Sequence, residues 1–182
     1  MRLLSILIAL CSLAGSVGTL ARAQDSAQPA RVVFVCEHGS VKSLVAMEYF
    51  NRRAKARGVP NRAVARGTTP EPSVPKAVRD GLRGDGFDVS AFEPRKFEAS
   101  DVAHAALIVS FDEDIANIVG AQARYLKWDD LPGVLTNYRR GKDEIVRHVD
   151  QFVSQIHLPV DALQVEVESI AIRERPFEEV PP

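Results

Sequence analysis

Two short apolar runs decide most of what this chain can fold into. Residues 31–36 read Arg31-Val32-Val33-Phe34-Val35-Cys36, and residues 105–111 read Ala105-Ala106-Leu107-Ile108-Val109-Ser110-Phe111. Neither alternates between apolar and polar positions. A strand with one face in water alternates, so a continuous β-branched and aromatic run is expected where both faces are covered. That is the setting of a parallel sheet between layers of helices, and parallel neighbours need long crossover connections. The intervening sequence supplies them. Residues 41–57 carry Leu44, Met47, Phe50 and Ala54 at helical spacing, and Gly58-Val59-Pro60 stops the run. Residues 61–67 form a weaker strand, and 68–75 a proline-containing loop. A second helix opens at Val74 or Pro75 and ends at Gly84-Asp85-Gly86. Residues 87–93 are a connector, 95–102 a short helix, and 112–120 a helix after the second apolar run. Residues 124–128 make a fourth strand, 129–133 a loop, and 136–156 a long helix with Ile145, Val149, Phe152 and Ile156 on one face. This order predicts an α/β fold: a three-layer sandwich whose four-stranded parallel sheet has helices on both faces. At 182 residues, one domain is expected.

Residues 1–23 read as an address. Arg2 gives a positive start, residues 3–13 are apolar apart from Ser5 and Ser12, and Ala21-Arg22-Ala23 fits a small-x-small cleavage site. The apolar run is shorter than the roughly 20 residues of a membrane span, which favours a cleaved signal over an anchor. The expectation is a periplasmic or secreted protein that begins at Gln24 and has no membrane contact after cleavage. Residues 24–30 are then a polar tether, 31–157 the α/β domain, and 158–182 an extension. Within the extension, Leu163-Gln164-Val165-Glu166-Val167-Glu168 alternates with period 2. Such a segment can be an edge strand, a strand paired with a partner chain, or a flexible acidic tail. Cleavage also removes Cys11 and leaves Cys36 as a lone thiol, which is either inert and buried or reactive.

Charge narrows the partners. Lys and Arg number 23 against 24 Asp and Glu, a formal net charge of −1. Nothing in that balance suits a nucleic-acid binder.

The segment with chemistry is Cys36-Glu37-His38-Gly39-Ser40-Val41-Lys42-Ser43, at the carboxyl end of the first strand and the start of a helix. Ligands of parallel α/β sheets bind at that edge. Gly39 permits a positive φ, so successive amides of residues 37–42 can converge on an anion beside the helix N-terminus. A thiolate at Cys36 is a competent nucleophile in that field. Lys42 adds a cation, and Ser43 a hydroxyl that can hydrogen-bond the thiolate. A tetrahedral oxyanion fits this cradle. Plainer readings stand beside it. Cys36 can be a small buried hydrophobe. Cys36 and His38 can be a metal pair, although His104, His148 and His157 are scattered and no metal is expected. Asp112 can cap the following helix, and Trp128 can belong to the core.

The ordered set of segments resembles the low-molecular-weight protein tyrosine phosphatase and arsenate reductase superfamily, whose signature is strand, Cys, five residues, Arg-Ser, helix. Cys36 stands at the nucleophile position, and Lys42-Ser43 stands where Arg-Ser is expected. Ala65-Arg66-Gly67-Thr68 resembles the second-strand stretch, Gly81-Leu82 with Asp85-Gly86-Phe87 the next helix and connector, and residues 107–112 the third strand. Trp128-Asp129-Asp130-Leu131-Pro132 resembles the late loop, and residues 139–149 the terminal helix. The family's proton donor is an Asp directly before Pro. Here Leu131 holds that place, so the resemblance leaves Asp130, or else Asp129, for the role. It implies a cofactor-free phosphomonoester hydrolase acting through a cysteinyl-phosphate on phosphorylated proteins or small phosphomonoesters. The cradle would be Glu37, His38, Gly39, Ser40, Val41 and Lys42. Two other functions remain: arsenate reduction coupled to an external thiol, and oxyanion binding without turnover.

Overall fold

The computed structural model describes residues 31–155, apart from 61 and 122. The expected signal segment, tether and C-terminal extension lie outside the described residues. Four strands form one sheet: β1 (Arg31–Cys36), β2 (Arg62–Gly67), β3 (Ala105–Phe111) and β4 (Tyr125–Trp128). Their order is β2-β1-β3-β4, with every pair parallel. Among the described residues, five helices accompany them: α1 (Lys42–Ala56), α2 (Lys76–Gly84), α3 (Ala99–Ala103), α4 (Ala116–Val119) and α5 (Tyr138–Gln155). The α/β sandwich expected from the two apolar runs is the fold observed.

Side chains on a strand alternate between faces, and β1 shows what each face meets. Val32, Phe34 and Cys36 pack with the apolar sides of α1, α2 and α5. Val33 and Val35 pack on the other side with Phe97, Ile108, Ile115 and Val119. The first face holds an aromatic chain in which Phe34 meets Phe50, Phe111 and Trp128 at centroid distances of 5.9–6.1 Å. Burying a side chain of that size stabilises the fold by roughly 1.5–3 kcal/mol. Trp128 is therefore core.

Three local expectations differ. The helix expected over 95–102 is shorter, because residues 95–97 run extended beside the end of β2. The amide of Gly67 donates to the Arg95 carbonyl (2.9 Å), and that of Phe97 to the Gly67 carbonyl (2.8 Å). Glu98 and Asp101 then form a reciprocal capping box that starts α3. The helix expected over 112–120 is reduced to α4, and Asp112 does not cap it. Asp114 accepts the Ala116 amide instead, at 3.2 Å.

Candidate active site

Strand β1 lies between β2 and β3; the crossover that leaves β1 goes to β2 on one side, and the one that leaves the neighbouring β3 goes to β4 on the other. That makes its carboxyl end the point where the chain order reverses, and a crevice opens there in such sheets. Cys36 lies at that end. It is 5% exposed and forms part of a pocket with Glu37, His38, Val41, Lys42, Phe111, Asp112, Glu113, Gly133, Val134 and Leu135.

The loop from Cys36 to α1 is fixed by backbone contacts with the segment after β2. The amides of Thr68, Thr69 and Glu71 donate to the carbonyls of Cys36 (3.1 Å), Glu37 (2.8 Å) and His38 (3.2 Å). No described peptide is cis. A trans peptide directs its N–H opposite to its C=O, so the amides of Glu37, His38 and Gly39 face away from that segment. Gly39 has φ +69°, and a Cβ there would stand 2.8 Å from the Gly67 nitrogen. Only glycine satisfies both constraints. The Ser40 hydroxyl, fully buried, donates to Glu71 Oε2 at 2.8 Å and closes the loop.

Helix α1 begins at Lys42 with Val41 before it. No side chain caps its N-terminus, and its first turn contains no acid. Uncapped first-turn amides and the helix dipole together favour an anion. Cys36 Sγ and Ser43 Oγ share a hydrogen bond of 3.1 Å. His38 Nε2 is 3.8 Å from carboxylate oxygens of both Glu37 and Glu71, and its Nδ1 is buried without a protein partner.

Lys42 reaches across the pocket. Its ammonium pairs with the Asp112 carboxylate and donates to the Leu131 carbonyl at 2.9 Å. Asp112 follows β3 at φ +59°, a left-handed conformation uncommon outside glycine. Its neighbour Glu113 accepts from the Thr68 hydroxyl at 2.9 Å. Among the described residues, no cluster of His, Cys, Asp and Glu is arranged to hold a metal.

The structure thus brings Cys36, Glu37, His38, Val41 and Lys42 to one pocket, with Gly39, Ser40 and Ser43 shaping it. Asp129 and Asp130 do not line it. Asp129 turns back to Lys127, 3.2 Å away, and Asp130 occupies a left-handed turn at φ +60°. Sequence reasoning did not place Asp112, Glu113 or residues 133–135 at the site. The one signal for the first two was their position directly after a buried parallel strand.

The model of the low molecular weight phosphotyrosine protein phosphatase family matches residues 31–153. Among solved structures, YfkJ from Bacillus subtilis is 16% identical, with a TM-score of 0.62 over 70% of this chain and 94% of that one. An arsenate reductase from Archaeoglobus fulgidus is 25% identical, with a TM-score of 0.52 over 68% and 98%. A low molecular weight protein tyrosine phosphatase from T. tengcongensis is 20% identical, with a TM-score of 0.54 over 69% and 98%. No curated protein matches the chain.

Proposed function

The chain belongs to the low molecular weight phosphotyrosine protein phosphatase family, and from that premise we propose that it hydrolyses phosphomonoesters through a phosphocysteine at Cys36. The observation that carries this reading is the Cys36 thiol at the pocket floor, 3.1 Å from the Ser43 hydroxyl and beside the uncapped start of α1.

The pocket's arrangement supports the following steps. The phosphoryl group sits against the amides of residues 37–42, which supply partial positive charge fixed in advance. Preorganised donors of this kind stabilise developing charge without reorganisation. The Lys42 ammonium turns from Asp112 to the phosphoryl oxygens. Cys36 Sγ attacks phosphorus in line and the ester P–O bond breaks. Ser43 donates to the sulfur, stabilising the thiolate before attack and again when water displaces it. Lysine offers a point charge where a guanidinium would offer a fork, so the amides carry a larger share of the binding.

Substrates are phosphorylated protein side chains or small phosphomonoesters. Arsenate reduction is the second reading, favoured by the 25% identity with the archaeal arsenate reductase. Cys36 is the free cysteine of the described residues, so that reaction would use an external thiol. Arsenite formation on addition of a small thiol is its assay. Export of the mature chain completes the proposal, supported by Arg2, the apolar run after it and Ala21-Arg22-Ala23. Amino-terminal sequencing of the exported protein should begin at Gln24.

Hydrolysis of an aryl phosphate under reducing conditions tests the main reading. Wild type should turn over, and Cys36→Ser should not while still binding inorganic phosphate. Full activity in Cys36→Ser would refute a cysteine nucleophile.

A further inference from the structure

An in-line displacement at phosphorus needs a proton at the leaving oxygen, on the side opposite the attacking sulfur. The sulfur is at the floor of the pocket, since Cys36 is 5% exposed. The donor therefore belongs at the mouth. Three carboxyl residues line the pocket: Glu37, Asp112 and Glu113. Glu37 is part of the cradle loop itself, and its carboxylate stands 3.8 Å from His38 Nε2. Glu113 is drawn to the end of β2 by the Thr68 hydroxyl. Asp112 stands at the mouth, with its side chain 46% exposed, and touches the ammonium that would receive the phosphoryl oxygens. A carboxyl bonded to Lys42 is one hydrogen-bond shell from a phosphoryl group held by Lys42.

We propose that Asp112 is the proton donor to the leaving oxygen and the proton acceptor from water in the second step. This rests on the phosphatase reading above. A phosphomonoester has a second ionisation near pH 6, roughly, and enters as the monoanion. Its phosphoryl oxygens take Lys42 from Asp112, and its proton passes to the Asp112 carboxyl. Sulfur attack forms the S–P bond and breaks the P–O bond. The leaving oxygen takes the Asp112 proton and departs as the alcohol. Water then loses a proton to the Asp112 carboxylate as it forms a new P–O bond. The S–P bond breaks, releasing phosphate and restoring the thiolate. Protons and electron pairs balance with water as the only co-reactant.

Leaving-group dependence separates a proton donor from a purely structural partner of Lys42. Dinitrophenyl phosphate releases a phenolate that needs no proton; phenyl phosphate needs one. The kcat/KM value reports formation of the phosphocysteine for both. Asp112→Asn suits the test because asparagine tolerates the left-handed backbone. In this variant, the ratio of kcat/KM for dinitrophenyl over phenyl phosphate should rise about 100-fold or more, the scale of a lost general acid. Glu113→Gln and Asp130→Asn should leave that ratio within about threefold of wild type. An unchanged ratio in Asp112→Asn, or a selective rise in Asp130→Asn, would overturn the proposal. Wild type that hydrolyses neither ester would refute the phosphatase reading and this assignment together. Wild type that hydrolyses both, with an unchanged ratio in Asp112→Asn, would refute this assignment alone.

Discussion

One wall of the pocket, residues 37–41, is shaped by backbone, whereas the wall facing it, from Phe111, Asp112 and Glu113 to Gly133, Val134 and Leu135, is built of side chains and loop. The first is fixed by three amide-to-carbonyl bonds and by the close approach of Gly39 to Gly67. The second is joined to α1 through the Lys42 ammonium, which holds Asp112 and the Leu131 carbonyl together. The difference assigns the walls different work. Backbone donors cannot reorganise cheaply, which suits the binding of a charge that must be met the same way in every turnover. Side chains bridged by an exchangeable ion pair can release a partner when an anion arrives, which suits proton transfer and leaving-group departure.

Removing the bridge should have the largest effect. Lys42→Ala takes away the cation and leaves Asp112 against the incoming phosphate. We expect kcat/KM to fall by about 100- to 1000-fold, on the scale of losing an oxyanion donor. Lys42→Arg should recover most of the loss, because a guanidinium matches phosphoryl oxygens better than an ammonium does. A small fall in Lys42→Ala on aryl phosphates would mean that the walls work independently.

Each wall also rests on a glycine, which allows a paired test. A Cβ on Gly67 would meet the Gly39 nitrogen and the His38 carbonyl carbon at 2.8 Å, all backbone. Gly67→Ala should lower kcat by about 100-fold, as a misplacement near 1 Å can do, and lower stability in urea by about 1–3 kcal/mol. A Cβ on Gly141 of α5 would meet Val134 Cα at 2.8 Å and the Pro132 carbonyl at 3.0 Å, pressing on the other wall. Gly141→Ala should cost about 1–3 kcal/mol of stability yet raise KM more than it lowers kcat. Equal loss of kcat in the two variants would erase the distinction between the walls.

The smallest effect belongs to Tyr138, the first residue of α5 after the side-chain wall. Its hydroxyl donates to Asp85 Oδ2 at 2.7 Å. Burial, followed by that hydrogen bond, raises its pKa well above the ordinary tyrosine value. The unfolded chain therefore loses its tyrosine proton first as pH rises past about 10, and stability falls there. Tyr138→Phe should cost about 1 kcal/mol at neutral pH and flatten the alkaline loss, without changing kcat. Urea melts at neutral and alkaline pH would show it.

The backbone wall was legible in the sequence because its parts are neighbours in the chain. Cys36, Gly39, Lys42 and Ser43 declare a strand end, a permissive turn and a helix start within one short segment. The sheet was legible for a similar reason, since β1 and β3 carry their burial in their own composition. The side-chain wall was not. Lys42 and Asp112 are 70 positions apart, and Lys42 and Leu131 are 89 apart. No local pattern records such a meeting. The helices α3 and α4, at five and four residues, are too short to show a 3.6-residue period. That is why the sequence predicts longer helices around them, and offers Asp112 as a helix cap rather than a pocket residue.

The central claim is that Cys36 carries the phosphoryl group between the two steps. Mixing the protein with dinitrophenyl phosphate, quenching in acid and mapping the peptides by mass tests it directly. The account predicts one added phosphoryl group on the peptide containing Cys36, and none on that peptide in Cys36→Ala. Steady turnover with the phosphoryl group on another residue, or on none at all, would contradict it.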